Sequence, residues 1–412
     1  MLTGPDAPQL ANQAIPALSQ LDHWITAHSA KLIAIRRHLH AHPELSHHEF
    51  ETAALIVREL SAAGLKPELL PKGNGVLWDI GTGDRVIAFR ADLDALPLPD
   101  TEDVPYRSTV DNVTHACGHD VHTTVLLGLG PAPAELDREG ALPGRIRLIF
   151  QPAEEGTPKS GAPEVIAAGG LTDVASIFAL HCDPRLDTGL VGVRAGSFTA
   201  AVDIVEVTVT GPGGHTARPH LTADLVHALG RVIVEVPALL DRRLDPRARL
   251  SMVWAAVHAG DAPNVLPGVG HLRGTVRALD RDAWQQAPRM LTRFIHDAMM
   301  STGAKAEVQY IRMVPPVIND LPAAAVVAGA ARAALGADHV VEAEISMGGE
   351  DFAFYLEHVP GAMIRLGAGT PGSDVRHDLH QSDFNVDERC IGHGVRVLTH
   401  TAIAALTTET SE

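Results

Sequence analysis

Residues 195–313 carry a pattern of elements that fixes much of what this chain can become. Residues 202–210 alternate as a strand, 222–242 read as a helix, 249–258 and 270–279 as two strands, 281–302 as a helix and 304–313 as a last strand. The order β-α-β-β-α-β is ferredoxin-like. Residues with metal-binding chemistry stand on both sides of it. His115-Ala116-Cys117-Gly118-His119-Asp120, Glu154-Glu155 and His181 come before, and His380 comes after. If these residues act together, 195–313 is an inserted domain, and 17–194 with 314–412 form one discontinuous domain.

Each upstream motif follows a short apolar run, at 76–80, 86–90, 146–150 and 176–181. In open α/β sheets ligands bind where strands give way to loops. The expected fold class is therefore α/β in two domains, an open mixed-sheet catalytic domain and an α+β insertion. Helices are expected at 17–41, ending before His42-Pro43 because the residue before proline is pushed from the α region, and at 49–63, with Gly64 as its C-terminal cap. Pro131 and Pro133 should end or kink the helix that follows Cys117-Gly118-His119 near Gly130.

At 412 residues the chain exceeds the size at which a single core keeps growing. A net charge of −17 argues against nucleic acid or anionic membrane as the main partner. No run approaches the roughly 18 apolar residues of a membrane span. Residues 1–16 have neither the basic segment nor the apolar stretch of a secretory signal and read as a flexible tail. Cys117, Cys182 and Cys390 are too few and too scattered for a disulfide framework, which fits a reduced cytoplasmic protein.

One thiolate, three imidazoles and a pair of carboxylates make the inventory of a hydrolytic two-metal site. Thiolate and imidazole suit Zn, while the carboxylate and imidazole remainder also accepts Mn or Co. Successive side chains on an extended segment point opposite ways, so Glu154 and Glu155 cannot share a direction there. One can bind metal while its neighbour manages protons. Asp94 fits a carboxylate that orients a ligand, with Asp92 one alternation away. His122 reads as a helix-face neighbour of His119. His38, His40, His42, His47 and His48 read as structural, since His48-Glu49 lacks the second His of a zincin helix.

Further motifs stand in a fixed order: Phe89-Arg90-Ala91-Asp92-Leu93-Asp94-Ala95-Leu96-Pro97, Gln151-Pro152-Ala153-Glu154-Glu155-Gly156, Gly211-Pro212-Gly213-Gly214-His215, Asn264-Val265-Leu266-Pro267-Gly268 and His377-Asp378-Leu379-His380. With the Cys-Gly-His turn they resemble the amidohydrolase branch of the aminoacylase/carboxypeptidase metallohydrolases, the branch with hippurate hydrolase and auxin-conjugate hydrolases. The resemblance runs from about Arg36 to Glu388. It implies a zinc-peptidase-like catalytic domain and an inserted lid and dimerisation domain, hence a homodimer or higher homo-oligomer. It implies two divalent ions per chain, held by Cys117 (bridging), His119, Glu155, His181 and His380, with Glu154 as general base.

The same resemblance has His215 stabilising the oxyanion, in its own subunit or a partner's, and Asn264 and Arg277 holding the substrate's carbonyl and carboxylate. The implied substrate is a small N-acyl amino acid or related amide. Thr216 and Gln381-Ser382 depart from the family pattern, which touches pocket shape and leaves ligands and base intact. A dipeptidase or carboxypeptidase using the same site is a second reading, because pocket walls decide between them. A catalytically silent metal-binding protein is a third, and Glu154 argues against it. A zinc deaminase is excluded, since no His-x-Glu followed by Pro-Cys-x-x-Cys occurs.

Overall fold

A computed structural model describes residues 11–138, 142–156 and 158–408. The described chain divides into two compact units. One runs to Gly196 and resumes over Ile318–Glu344 and from Phe354 onward; the other is Ser197–Val317 with Ile345–Ala353.

The first unit is built on a mixed eight-stranded sheet. Its strands lie in the order Glu68–Leu69, Val76–Ile80, Arg145–Gln151, Val86–Asp92, Val174–Asp187, Gly361–Gly369, Val191–Val193 and Val340–Glu342. The four central strands are mutually parallel, with Asp92 opposite Gln151 and Arg90 opposite Ala179. All seven residues of Val86–Asp92 and all nine of Gly361–Gly369 are buried, as expected of central parallel strands covered on both faces, so neither alternates throughout between apolar and polar residues. The helix Arg389–Thr407 packs against Ala11–Ala41, His119–Leu129 and Leu321–Leu335. Leu32, Val121, Leu126, Val327 and Leu398 join Phe89 and Leu180 in one core.

The first helix begins at Ala11, so residues 11–16 are helical and not part of a tail; residues 1–10 lie outside the described chain. The second helix is Phe50–Ala62, with Glu49 at its N-cap and Gly64 beyond its end at a φ of 85°. The helix after the Cys-Gly-His turn stops at Leu129, and Pro131–Arg138 starts a new one past Gly130, as the prolines demand. No element is expected from sequence beyond residue 313, yet the central strand Gly361–Gly369 and two of the packed helices come from there.

The second unit has the order β-α-β-β-α-β, with helices Leu225–Arg243 and Arg281–Met299. Its antiparallel sheet runs Leu250–His258, Val269–Ala278, Ala201–Thr210, Lys305–Val314, the ferredoxin-like arrangement. Asp224 and Asp280 cap the helices by accepting the His227 and Ala283 amides. Residues 345–353 join this unit because Ser346 pairs with Thr199 and exchanges backbone bonds with Phe198 and Ala200. No helix of the described chain is long and apolar enough to cross a membrane.

Candidate metal centre

Three strands deliver the upstream residues to one edge of the first unit's sheet. Val86–Asp92 leads to Asp94, Arg145–Gln151 leads to Glu154 and Glu155, and Val174–Asp187 carries His181. The Cys-Gly-His turn is possible because Gly118 adopts a φ of 83°, and a β-carbon there would meet Cys182 Sγ at 3.1 Å. His380 arrives from the far end of the chain. Its own N–H donates to the Ala116 carbonyl at 2.8 Å, and its backbone takes a left-handed φ of 63° to do so.

Five groups of side chains among the described residues could hold a metal ion, their ligand atoms lying within 4.8 Å of one another. Two of them share Cys117, namely Cys117, His119 and His181, and Cys117, Glu155 and His380; the others are Asp92, His119 and His122, then His119, Glu154 and Glu155, then Glu154, Glu350 and Asp351. His119 Nδ1 donates to the Asp94 carbonyl at 2.8 Å and His181 Nδ1 to the Cys182 carbonyl at 2.8 Å. Each bond puts the ring proton on Nδ1 and leaves the Nε2 lone pair toward the site. His119 Nε2 is buried with no hydrogen-bond partner among the described residues, and His181 Nε2 lies 3.5 Å from Cys117 Sγ. His380 Nε2 is 3.1 Å from Glu155 Oε1. An orphaned buried nitrogen beside a thiol and a carboxylate fits a pair of divalent ions.

Burial and the neighbouring charges shift these groups, and for Cys117, His119 and His380 they favour the protonated forms, whose protons a bound cation would displace. Burial pushes the Cys117 thiol up, although His119 pulls the other way. Burial acts to lower His119, but Asp92, Cys117 and Asp94 override it and hold the ring well above its usual range. Hydrogen bonds to Cys117 and Glu155 push His380 up to about 10. Burial, with Arg365 nearby, holds His181 well below the usual range.

Asp94, buried, accepts the Glu154 and Glu155 amides at 3.0 and 2.9 Å and the Ser46 hydroxyl at 2.6 Å. Asp92 lies 2.6 Å from His122 Nδ1 and 2.6 Å from Arg90 Nη1, and its Oδ2 is 3.7 Å from His119 Nε2. Arg90 continues to Gln151, which also accepts from the Tyr355 hydroxyl. Arg90, Gln151 and Tyr355 are supports that sequence reading missed; a buried Arg inside an apolar strand is the signal that could have marked them. His40 is buried against Asp120 at 2.8 Å, the bonded structural role expected of it.

In the second unit, His215 and Asn264 meet on one ribbon. Gly214–His215 pairs with Val265–Leu266, the Thr216 amide donates to the Asn264 carbonyl, and His215 Nδ1 accepts the Ala217 amide at 3.0 Å. Both side chains are exposed. Arg277 sits on Val269–Ala278 and donates to the Met347 carbonyl.

An α/β fold with thiol, imidazole and carboxylate donors clustered at its strand ends has the make-up of a metallohydrolase. Residues 88–404 match Peptidase family M20/M25/M40, and the chain belongs to that family. It is a hydrolase of carbon–nitrogen bonds in amides. It is similar to the N-acetyl-L-cysteine deacetylase of Bacillus subtilis, with 36% identity over 94% of this chain and 90% of that protein. A Rhodococcus jostii protein that carries the name of a glutamate–cysteine ligase is 47% identical over 89% of this chain, which spans only 46% of that protein's length. A solved dinuclear metal-binding peptidase of Bacillus subtilis is 34% identical, with a TM-score of 0.81 over 93% of this chain and 99% of that one.

Proposed function

We propose that this chain hydrolyses N-acyl amino acids and related small amides to a carboxylic acid and an amine. Two divalent ions would be held by Cys117, His119, Glu155, His181 and His380. The observation that carries the reading is Cys117 shared between two ligand groups, with Glu154 on the adjoining loop. When bound, the ions lower the pKa of water to about 7 and polarise the amide carbonyl.

The protein's own residues supply the rest. Asp94 holds the Glu154 and Glu155 amides and so fixes the loop, in which Glu155 is the ligand and its neighbour Glu154 the base. Glu154 takes a proton from the attacking water and returns it to the leaving nitrogen. His215 donates to the oxyanion, Asn264 to the carbonyl oxygen, and Arg277 binds the substrate carboxylate. Zn, Mn and Co all suit the donor set. The free, buried state of all three cysteines supports a reduced, cytoplasmic setting, and the family resemblance supports a homodimer or larger homo-oligomer.

The test is a panel of N-acetyl, N-benzoyl and long-chain N-acyl amino acids, N-acetylcysteine among them, beside dipeptides, with Zn, Mn and Co in turn. Metal-dependent release of amine from acyl amino acids is expected. Turnover confined to dipeptides would assign a dipeptidase, and none on any member would sink the hydrolytic reading.

A further inference from the structure

We propose that Glu49 is a positioning residue for Glu154. This rests on the role given to Glu154 above. Glu49 is fully buried at the start of Phe50–Ala62. Its Oε1 accepts the Ala153 amide at 2.7 Å and the His47 amide at 2.9 Å, and its Oε2 accepts Asn74 Nδ2 at 3.1 Å. Ala153 directly precedes Glu154 and holds a left-handed φ of 55°, which a residue with a β-carbon disfavours. The next two amides, of Glu154 and Glu155, are accepted by Asp94. Three successive N–H groups are thus each held by a buried carboxylate.

Glu49 pins the strained residue, and Asp94 pins the two that do chemistry. Burial and the Asp94 charge push Glu49 up to about 7, and its hydrogen bonds offset only part of that penalty. Without Glu49 the buried Ala153 amide has lost its acceptor, Ala153 relaxes toward negative φ, and the Glu154 carboxylate leaves its line with the reacting atoms. Glu155 keeps Asp94 and His380, so metal ligation survives. A helix cap alone would affect stability and leave proton transfer untouched.

The experiment compares Glu49→Ala, Glu49→Asp and Glu49→Gln in the full-length, Zn-loaded protein. Glu49→Ala should lower kcat by about 10-fold or more, with KM within roughly twofold and metal content unchanged. Hydrogen exchange at the amides of Ala153, Glu154 and Glu155 should quicken. Glu49→Gln keeps an oxygen for the Ala153 and His47 amides, and the Asn74 carboxamide can turn to accept from its new N–H, so this conservative variant should keep most of the wild-type kcat. Wild-type kcat or unchanged exchange in Glu49→Ala would overturn the proposal, as would a loss in Glu49→Gln equal to that in Glu49→Ala. If Glu49→Ala does not fold, Glu49→Asp, whose shorter side chain withdraws the carboxylate from the Ala153 amide, decides by the same measures. The exchange readout needs no substrate, so it judges the loop even if no amide is turned over, a result that would instead sink the functional reading.

Discussion

His122 Nε2 accepts the Cys182 backbone N–H at 2.8 Å, while its Nδ1 is bonded to Asp92. Both ring nitrogens are therefore used within the protein. The imidazole stands among the candidate metal ligands, with its ring 4.9 Å from that of His181, yet it has no lone pair left for an ion. It ties the helix His119–Leu129 to the strand Val174–Asp187, and so sets the separation of His119 and His181.

Replacing His122 with Ala should leave two metals per chain measurable at saturating metal but weaken their retention. The Cys182 amide loses its acceptor and Asp92 loses a donor, a defect of about 1–3 kcal/mol for a buried unsatisfied group. Chemical denaturation and metal titration together check this. Complete loss of metal with unchanged stability would make His122 a ligand after all.

For Cys117→Ser we expect loss of metal and of most activity with the fold retained, since a neutral hydroxyl is a far poorer bridge than a thiolate. Circular dichroism and elemental analysis decide it. Two metals per chain and near wild-type turnover in the Ser variant would reduce Cys117 to a packed core residue.

The adjacent carboxylates should separate cleanly. Glu154→Gln is expected to keep its metals and lose roughly 10²–10⁴-fold in turnover, the range for a positioned acid or base. Glu155→Ala should be depleted of metal. A reversed pattern would exchange the two assignments.

His215→Ala should cut turnover by roughly 10²–10³-fold with metal binding intact, because an oxyanion donor acts on the transition state. If His215 serves a partner's site, mixing it with inactive Glu154→Ala protein should restore activity once native mass spectrometry shows subunit exchange. Exchanged oligomers without recovery would place the donor in its own subunit.

His400, on the helix Arg389–Thr407, has its pKa lowered to about 4 by burial, with Arg396 adding to the effect. As pH falls, the unfolded chain takes up this proton first, near the unperturbed value of about 6.5. The stability that neutral His400 contributes is present above that value and is lost as pH falls from there through 4. Melting temperatures measured between pH 7 and pH 4 should drop less in His400→Leu than in the wild type. Parallel curves would show that His400 does not titrate in this way.

Much of this protein was legible in its sequence, and for a local reason. A Cys-Gly-His turn, a Pro-Ala-Glu-Glu-Gly loop and the β-α-β-β-α-β alternation are set by residue identity, side-chain period and glycine's freedom at Gly118, all acting within a few residues. Pro131 and Gly130 likewise mark the helix break where it occurs. The supports of the site have no such signature. Glu49 lies 104 positions from the amide it holds, Asp94 about sixty from the two it holds, and the His380 amide reaches back to Ala116. Such partners are chosen by where the sheet and its loops bring them, because a buried carboxylate must find whatever donors the fold places near it. Residue identity and motif order were enough to nominate the thiol, imidazole and carboxylate side chains proposed to carry the chemistry. Which buried acids hold those segments in place emerged only in three dimensions, since hydrogen-bond satisfaction depends on neighbours in space and not in the chain.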